Sequence, residues 1–314
     1  MTSQPQDRLP STLPSTLPSV DVVIATHQRP ELLRRAIAGV MAQTYQGTIR
    51  LLVVHDKSTP DTSLEEQHAG RSVEVLANTR TPGLAGARNS GIVTGTGDLV
   101  AFCDDDDEWR PDKLVRQVHQ LEIDGAPTSV TGILVDYQDR QVVRVPTAAD
   151  LTVATLARHR VMAAHPSSVV VRRAALDQIG LVDEEIPGSY GEDYDWILRA
   201  AGVGGFAVVP EPLVLVRWGG SQFNKQWSTI VAAIDHLLDK HPAFRADHRA
   251  LGRLLGQRAF ALAASGSPDA WRAARTTLRT SPRERRGYVA AAVAVHLVSA
   301  ERVLDLAHKR GRGI

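Results

Sequence analysis

From Val20 onward, apolar positions alternate between two spacings. Val22-Val23-Ile24 is a short β-branched run of the kind that forms a strand covered on both faces. Pro30 suits the first turn of a helix, and Leu33, Ala36, Ile37, Val40 and Met41 follow it at helical spacing. Residues 49–54 predict a second buried strand, 73–76 a third and 99–103 a fourth. Between them, residues 84–93 read as a helix of small side chains. After Pro111, Leu114, Val115, Val118 and Leu121 mark another helix. Strand and helix take turns, which predicts an α/β fold with a mostly parallel central sheet and helices on both faces.

The second half is less regular. Strands are expected over residues 130–135, 167–171 and 214–216, and helices around 148–157 and 193–201. From Gln226 the pattern turns Ala-rich and helical, with breaks near Pro242, Gly266-Ser267-Pro268 and Pro282. Residues 1–18, with their near-repeated Ser-Thr-Leu-Pro, bury too little apolar surface to offset ordering and read as a disordered tail. The expected organisation is a tail over 1–18, a catalytic α/β domain over 19–222 and a helical region over 223–314.

Composition narrows the function classes. The 314 residues are 43% hydrophobic and 23% charged, ordinary for a soluble globular chain. A formal net charge of +1 predicts no nucleic-acid binding. Arginines do outnumber acids beyond Arg245, and the chain ends Lys309-Arg310-Gly311-Arg312-Gly313-Ile314. Such a region can meet anionic lipid, although a solvated helix face is the plainer reading. One cysteine, Cys103, excludes an intrachain disulfide and fits a reducing cytoplasm; its apolar surroundings suggest a small buried side chain. The N-terminal pattern predicts no secretory leader, and the sequence holds no run of about 20 apolar residues. The nearest, residues 288–298, contains His296 and reads as a packed or interfacial helix. The expected location is the cytoplasm, with peripheral contact at the inner membrane face through the basic C-terminal region.

The stretch Phe102-Cys103-Asp104-Asp105-Asp106-Asp107-Glu108-Trp109 carries the most chemistry. Ligands of open α/β sheets bind beyond the carboxyl ends of strands, which is where these acids fall. Alternation along an extended chain places Asp104 and Asp106 on one side. Adjacent carboxylates repel, and a hard divalent ion such as Mn²⁺ or Mg²⁺ relieves that while also binding phosphates. The alternative is a solvated acidic turn whose charges complement the helix after Pro111.

Several further pieces, in this order, resemble the family-two glycosyltransferases, which share the nucleotide-sugar-binding GT-A fold. They are Val22–Pro30, Leu52-Val53-Val54-His55-Asp56-Lys57-Ser58-Thr59, Gly86-Ala87-Arg88-Asn89-Ser90-Gly91, the aspartate run, Ser167–Arg173, Gly180-Leu181-Val182-Asp183-Glu184 and Gly191-Glu192-Asp193-Tyr194-Asp195. The resemblance covers residues 20–218. It implies a GT-A fold with a C-terminal helical region, and transfer of a sugar from a UDP-, dTDP- or GDP-linked donor to a hydroxyl of a glycan, lipid-linked or small-molecule acceptor.

By the same resemblance, Thr26, His27, Arg29 and Asp56 hold the nucleotide base. Arg88 meets phosphate or ribose, Asp104 and Asp105 serve the ribose and metal, and Asp106 with Asp104 holds the ion. Asp193 acts as general base in an inverting displacement, with Glu192 beside it, behind a flexible loop at Pro187-Gly188-Ser189-Tyr190-Gly191. His165, Arg217 and Trp218 fall where relatives border the donor diphosphate and acceptor. The chain departs from the family at His27, where tyrosine is common, and at His55, where an aspartate is. Trp109 can wall the site, though packing is its plainer role.

Two rival readings remain. A nucleotidyltransferase or phosphohydrolase also uses adjacent acids and a divalent ion, but an aspartyl nucleophile belongs after the first strand, where Thr26-His27-Gln28 stands, and no P-loop is present. A non-catalytic nucleotide- or carbohydrate-binding module would keep the fold without the chemistry.

Overall fold

The computed structural model describes residues 17–137, 140–217 and 226–309. Trp218, most of the N-terminal tail and the last basic residues lie outside them. The strands are β1 (Val20–Thr26), β2 (Ile49–His55), β3 (Glu66–His68), β4 (Arg71–Ala77), β5 (Leu99–Phe102), β6 (Glu108–Trp109), β7 (Thr128–Tyr137), β8 (Arg140–Arg144), β9 (Val169–Arg172) and β10 (Phe206–Arg217). The helices are α1 (Pro30–Met41), α2 (Leu84–Thr94), α3 (Lys113–Asp124), α4 (Val153–Arg158), α5 (Leu176–Ile179), α6 (Glu192–Val203), α7 (Trp227–Lys240), α8 (Pro242–Arg245), α9 (His248–Ala264), α10 (Ala270–Thr280), α11 (Arg285–Ala294) and α12 (Ala300–Lys309).

The described strands form one sheet in the order β3-β4-β2-β1-β5-β9-β7-β10-β6, with β8 added to β7. β4, β2, β1 and β5 run parallel, as do β7 and β10, and most paired residues lie in these ladders. β9 joins the two parallel blocks by antiparallel pairing with both β5 and β7. Every residue of β1 is buried, as its β-branched run predicts. The twofold period of a strand then divides its side chains between two cores. Val23, Ala25, Leu52, Val54, Val100 and Phe102 face α2 and α6. Val22, Ile24, Leu51, Val53 and Ala101 face α1 and α3. Burying each such aliphatic chain is worth about 1.5–3 kcal/mol, so this split fixes both register and layering.

The helices after residue 226 do not stand apart. Ile230, Ala233, Leu237, Phe244 and Leu254 join the core on the α6 face, and only Phe260, Ala270, Ala274, Ala290 and their neighbours form a separate apolar cluster. An ionic anchor holds the contact. Asp195, fully buried on α6, takes Arg199 from its own helix, Lys240 at 2.9 Å and His241 at 2.7 Å. Those partners hold its carboxyl far below the usual range despite burial.

Some elements differ from expectation. The strand expected at 167 begins at Val169, because Pro166-Ser167-Ser168 forms a 3₁₀ turn in which the Ser168 hydroxyl bonds to the Ala163 carbonyl oxygen at 2.7 Å. The helix expected over 148–157 divides into a capped 3₁₀ turn at Ala148–Leu151 and the short α4. β8 escaped the pattern because every residue in it is exposed. β10 starts eight residues early and passes Pro210 and Pro212 by shifting register. No helix of the described residues is long and apolar enough to cross a membrane.

Candidate active site

β5 ends at Phe102, and the aspartates that follow close a turn in which the Asp107 N–H bonds to the Asp104 carbonyl at 3.2 Å. The expected alternation therefore stops before the acids begin. The ligand atoms that converge are those of Asp104, Asp107 and His165, all within 4.8 Å of one another. Asp107 is 1% exposed; it accepts the Ser167 hydroxyl at 2.6 Å and lies 3.3 Å from His165 Nδ1. Ser167 Oγ in turn accepts the Asp104 N–H at 2.9 Å. Asp105 accepts from Thr26 Oγ1 at 2.8 Å. Asp106 accepts from Arg29 at 2.7 Å, and the same guanidinium reaches Asp105 at 3.2 Å.

Burial, and then the charge of neighbouring acids, raises the carboxyl groups of Asp106 and Asp107 above the ordinary range, Asp107 well above. Asp105 is raised too, by burial, against the pull of Thr26 and Arg29. Carboxylates held this way gain most from a cation placed among them. Oxygen ligands with one imidazole suit Mn²⁺ and tolerate Mg²⁺.

Next to this turn lie the ends of β1 and β2. Asp56 is buried, and its Oδ1 accepts from Asn78 at 2.8 Å and from the Gly83 N–H at 3.0 Å. His27 Nδ1 sits 2.8 Å from the Asp56 carbonyl oxygen, so the first two loops share one hydrogen-bonded rim. His55 is buried at the end of β2, its Nε2 facing the Asp61 N–H at 3.4 Å, and burial lowers its pKa.

α2 carries the fourth part. Its residues from Ala85 to Ile92 are all buried, and a Cβ on Gly86 would stand 1.9 Å from the Thr81 carbonyl oxygen, so only glycine lets the chain cross there. That approach seats Arg88, 4% exposed, between two acids: its Nη2 lies 2.5 Å from Asp104, and its Nη1 bonds Glu192. Burial alone would lower the guanidinium; Asp104 and Glu192 hold it above its ordinary value. Glu192 itself is pushed up to about 7, by burial first, with Arg88 opposing and Asp193 adding.

Gly191, in the left-handed region at φ +85°, turns the chain so that Glu192 and Asp193 open α6. Asp193 pairs with Arg160 at 2.6 Å. A cleft of about 850 Å³ is lined by Asp104, His165, Arg88, Glu192 and Asp193, together with residues of α9 and the α10–α11 connection.

The expected residues therefore form two adjoining sets: Thr26, His27, Arg29, Asp56, Asp105 and Asp106 at the strand ends, and Arg88, Asp104, Glu192 and Asp193 in the cleft. Arg217, on β10, belongs to neither set; its side chain bonds Glu108 and its backbone N–H bonds Asp107 of the aspartate turn. Trp109 is 4% exposed under the Lys113 ammonium, 3.8 Å from its ring, and Cys103 is buried and free. Sequence reasoning missed Asp107 as a partner of His165, and also Ser167, Arg160 and Arg253. An i, i+3 turn reading of the aspartate run would have paired Asp104 with Asp107. No local signal marks the other three.

Residues 21–180, just over half of the chain, match the family model described as glycosyl transferase family 2. A glycosyltransferase of Bacillus subtilis (strain 168), YwdF, itself uncharacterized, is 25% identical over 230 residues, or 71% of this chain and 84% of the relative. Among solved structures, S. aureus TarS 1-349 in complex with UDP-GlcNAc superposes with a TM-score of 0.60 at 15% identity, covering 94% of this chain and 92% of that one. Mannosyltransferase PcManGT from Pyrobaculum calidifontis, in complex with GDP-Man and Mn²⁺, gives 0.55 at 17% identity over 96% and 86%. Both likenesses establish the GT-A fold.

Proposed function

The chain belongs to glycosyl transferase family 2 and is a glycosyltransferase; on that premise we propose that it moves a sugar from a nucleoside diphosphate to an acceptor hydroxyl with inversion, Asp193 serving as base. The observation that carries this reading is the single cleft holding both Asp104 and Asp193, bridged through Arg88 and Glu192.

In this reading the base lies over the rim made by Thr26, His27, Arg29 and Asp56. Asp56 Oδ1 is already engaged by Asn78 and Gly83, which fixes the carboxylate so that its other oxygen can take a base N–H. Asp105, held by Thr26 and Arg29, stands where a ribose hydroxyl would approach. A divalent ion has to meet donor phosphates as well as protein, which favours accessible ligands. The Asp104 and Asp106 side chains are about a quarter exposed, whereas Asp107 is committed to Ser167 and His165. We therefore assign the ion to Asp104 and Asp106, with Asp107 and His165 orienting the turn beneath them. When bound, the ion supplies charge stabilisation to the departing diphosphate. Asp193 takes the proton of the acceptor hydroxyl as its oxygen bonds to the anomeric carbon, and the bond to the diphosphate oxygen breaks with its electron pair. Arg88 holds Asp104 and Glu192 in place throughout.

The neighbours bind UDP-GlcNAc and GDP-Man, so UDP-, GDP- and dTDP-sugars with Mn²⁺ form the first panel. A thermal shift with one donor, together with slow release of its nucleoside diphosphate, is the expected result. Nucleotide binding without any release under all donors would instead identify a binding module.

A further inference from the structure

The part of the cleft lining that comes from the C-terminal helices is rich in arginine. Arg249 and Arg253 come from α9, Arg283 from the segment before α11, and Arg286 from its first turn. One acid, Glu284, stands among them and pairs with Arg286 at 3.0 Å. Arg249 and Arg283 are exposed and form no ion pair among the described residues. Arg253 is 8% exposed and also lacks a carboxylate; it donates to the Tyr194 hydroxyl at 2.5 Å and to the Ala157 carbonyl oxygen at 3.2 Å. Tyr194 follows Asp193 directly, so the buried guanidinium is tied to the residue beside the proposed base. Burial and the positive charges of Arg286 and Arg160 depress Arg253, which shows how closely like charges are gathered here.

Such a lining costs folding free energy through self-repulsion unless an anion relieves it. The donor diphosphate does not meet this need. Its expected place is beside Asp104 and Asp106, at the ends of β1 and β5, and none of the four arginines bonds to that turn. What enters along α9 towards Asp193 is the acceptor. Guanidinium groups lining one cleft, each a planar fork of donors, suit the several oxygens and the charge of a phosphate.

We propose that the acceptor carries a phosphate group, held by Arg249, Arg253, Arg283 and Arg286 while its hydroxyl meets Asp193. This rests on the glycosyltransferase reading above and adds the chemical class of its second substrate. Lipid-linked sugar diphosphates and soluble polyol or sugar phosphates present the same group.

Binding of glycerol 3-phosphate to the full chain, measured calorimetrically in EDTA so that no metal site competes, tests it. Saturable binding is expected, with none for glycerol and much weaker binding for glucuronate. Arg249→Gln/Arg283→Gln, which changes two exposed side chains, should weaken glycerol 3-phosphate at least about tenfold, as expected for loss of charged hydrogen bonds. Affinity for the donor nucleotide with Mn²⁺ should stay unchanged in that variant. Equal binding by wild type and variant, or glucuronate bound as tightly as phosphate, overturns the proposal. A wild type that binds no nucleotide at all sinks the glycosyltransferase reading instead. Phosphatidylcholine vesicles with and without a polyprenyl diphosphate then separate the sources. Capture only by the former indicates a lipid-linked acceptor, and binding confined to glycerol 3-phosphate indicates a soluble one.

Discussion

Arg160 Nη2 lies 2.6 Å from Asp193 Oδ2, so the proposed base is already paired with a cation. Burial would raise the Asp193 carboxyl, but Arg160, then Arg88 and His165, outweigh it and hold the group below its usual range. A base must be ionised to work, so activity persists as pH falls until that lowered pKa is reached. Removing that cation takes away the largest of the charges that oppose burial, with Arg88 and His165 still acting. Arg160→Gln should therefore move the acidic limb of the kcat/KM profile to higher pH. An unmoved limb would show that Arg160 does not set the ionisation of the base.

Asp193→Asn keeps the shape and removes the basicity. It should lower kcat by about 10²–10⁴-fold, the usual contribution of a positioned base, while nucleotide affinity stays near that of wild type. Full transfer activity in this variant would move the base elsewhere.

Chelation should abolish turnover and added Mn²⁺ restore it. Titrating Mn²⁺ in the presence of donor nucleotide, Asp106→Ala should weaken metal-supported binding and turnover together. Asp107→Asn, whose side chain orients rather than meets the ion, should retain binding with a smaller loss, within the roughly 10–100-fold typical of supporting residues. The reverse order would place the ion on the Asp104, Asp107 and His165 group.

Lys113 gives a prediction about stability alone. Its ammonium is fully buried over Trp109 with no hydrogen-bond partner, and burial lowers its pKa to about 7. Below that value both folded and unfolded chains carry the proton and the folding penalty is complete. Between about pH 7 and the unfolded value near 10.4, only the unfolded chain holds it, so stability climbs with pH. Lys113→Met should be more stable than wild type at neutral pH, by roughly 2–4 kcal/mol, with the difference shrinking towards about pH 10. Urea denaturation of both proteins across that window measures it. A constant difference would show that Lys113 keeps its charge when folded.

Much of the architecture was legible because β1 and β2 hold the unbroken apolar runs Val22–Ala25 and Leu51–Val54, which a sheet covered on both sides can bury. What stayed hidden followed from the same logic. β8 carries no buried residue, so no pattern announced it. The aspartates read as an extended run because nothing in four identical residues marks where a strand stops; the turn is set by Ser167, far along the chain. Asp193 and Glu192 were visible as a pair opening a helix. Their partners Arg160 and Arg88 were not paired with them, since each contact is closed by tertiary packing. The arginine-rich lining was noticed only as a basic C-terminal excess. Its meaning depends on α9 folding back against Tyr194.

Asp195 joins two jobs that a modular enzyme would keep apart. It lies on the same helical turn as the proposed base, yet its carboxylate is the bolt that fastens Lys240 and His241. Exchanging the C-terminal helices wholesale for those of a relative would loosen that bolt and with it the stretch of helix presenting Asp193. On the acceptor reading proposed above, new acceptor preferences are reached more readily by changing single arginines of the cleft than by transplanting the unit that bears them.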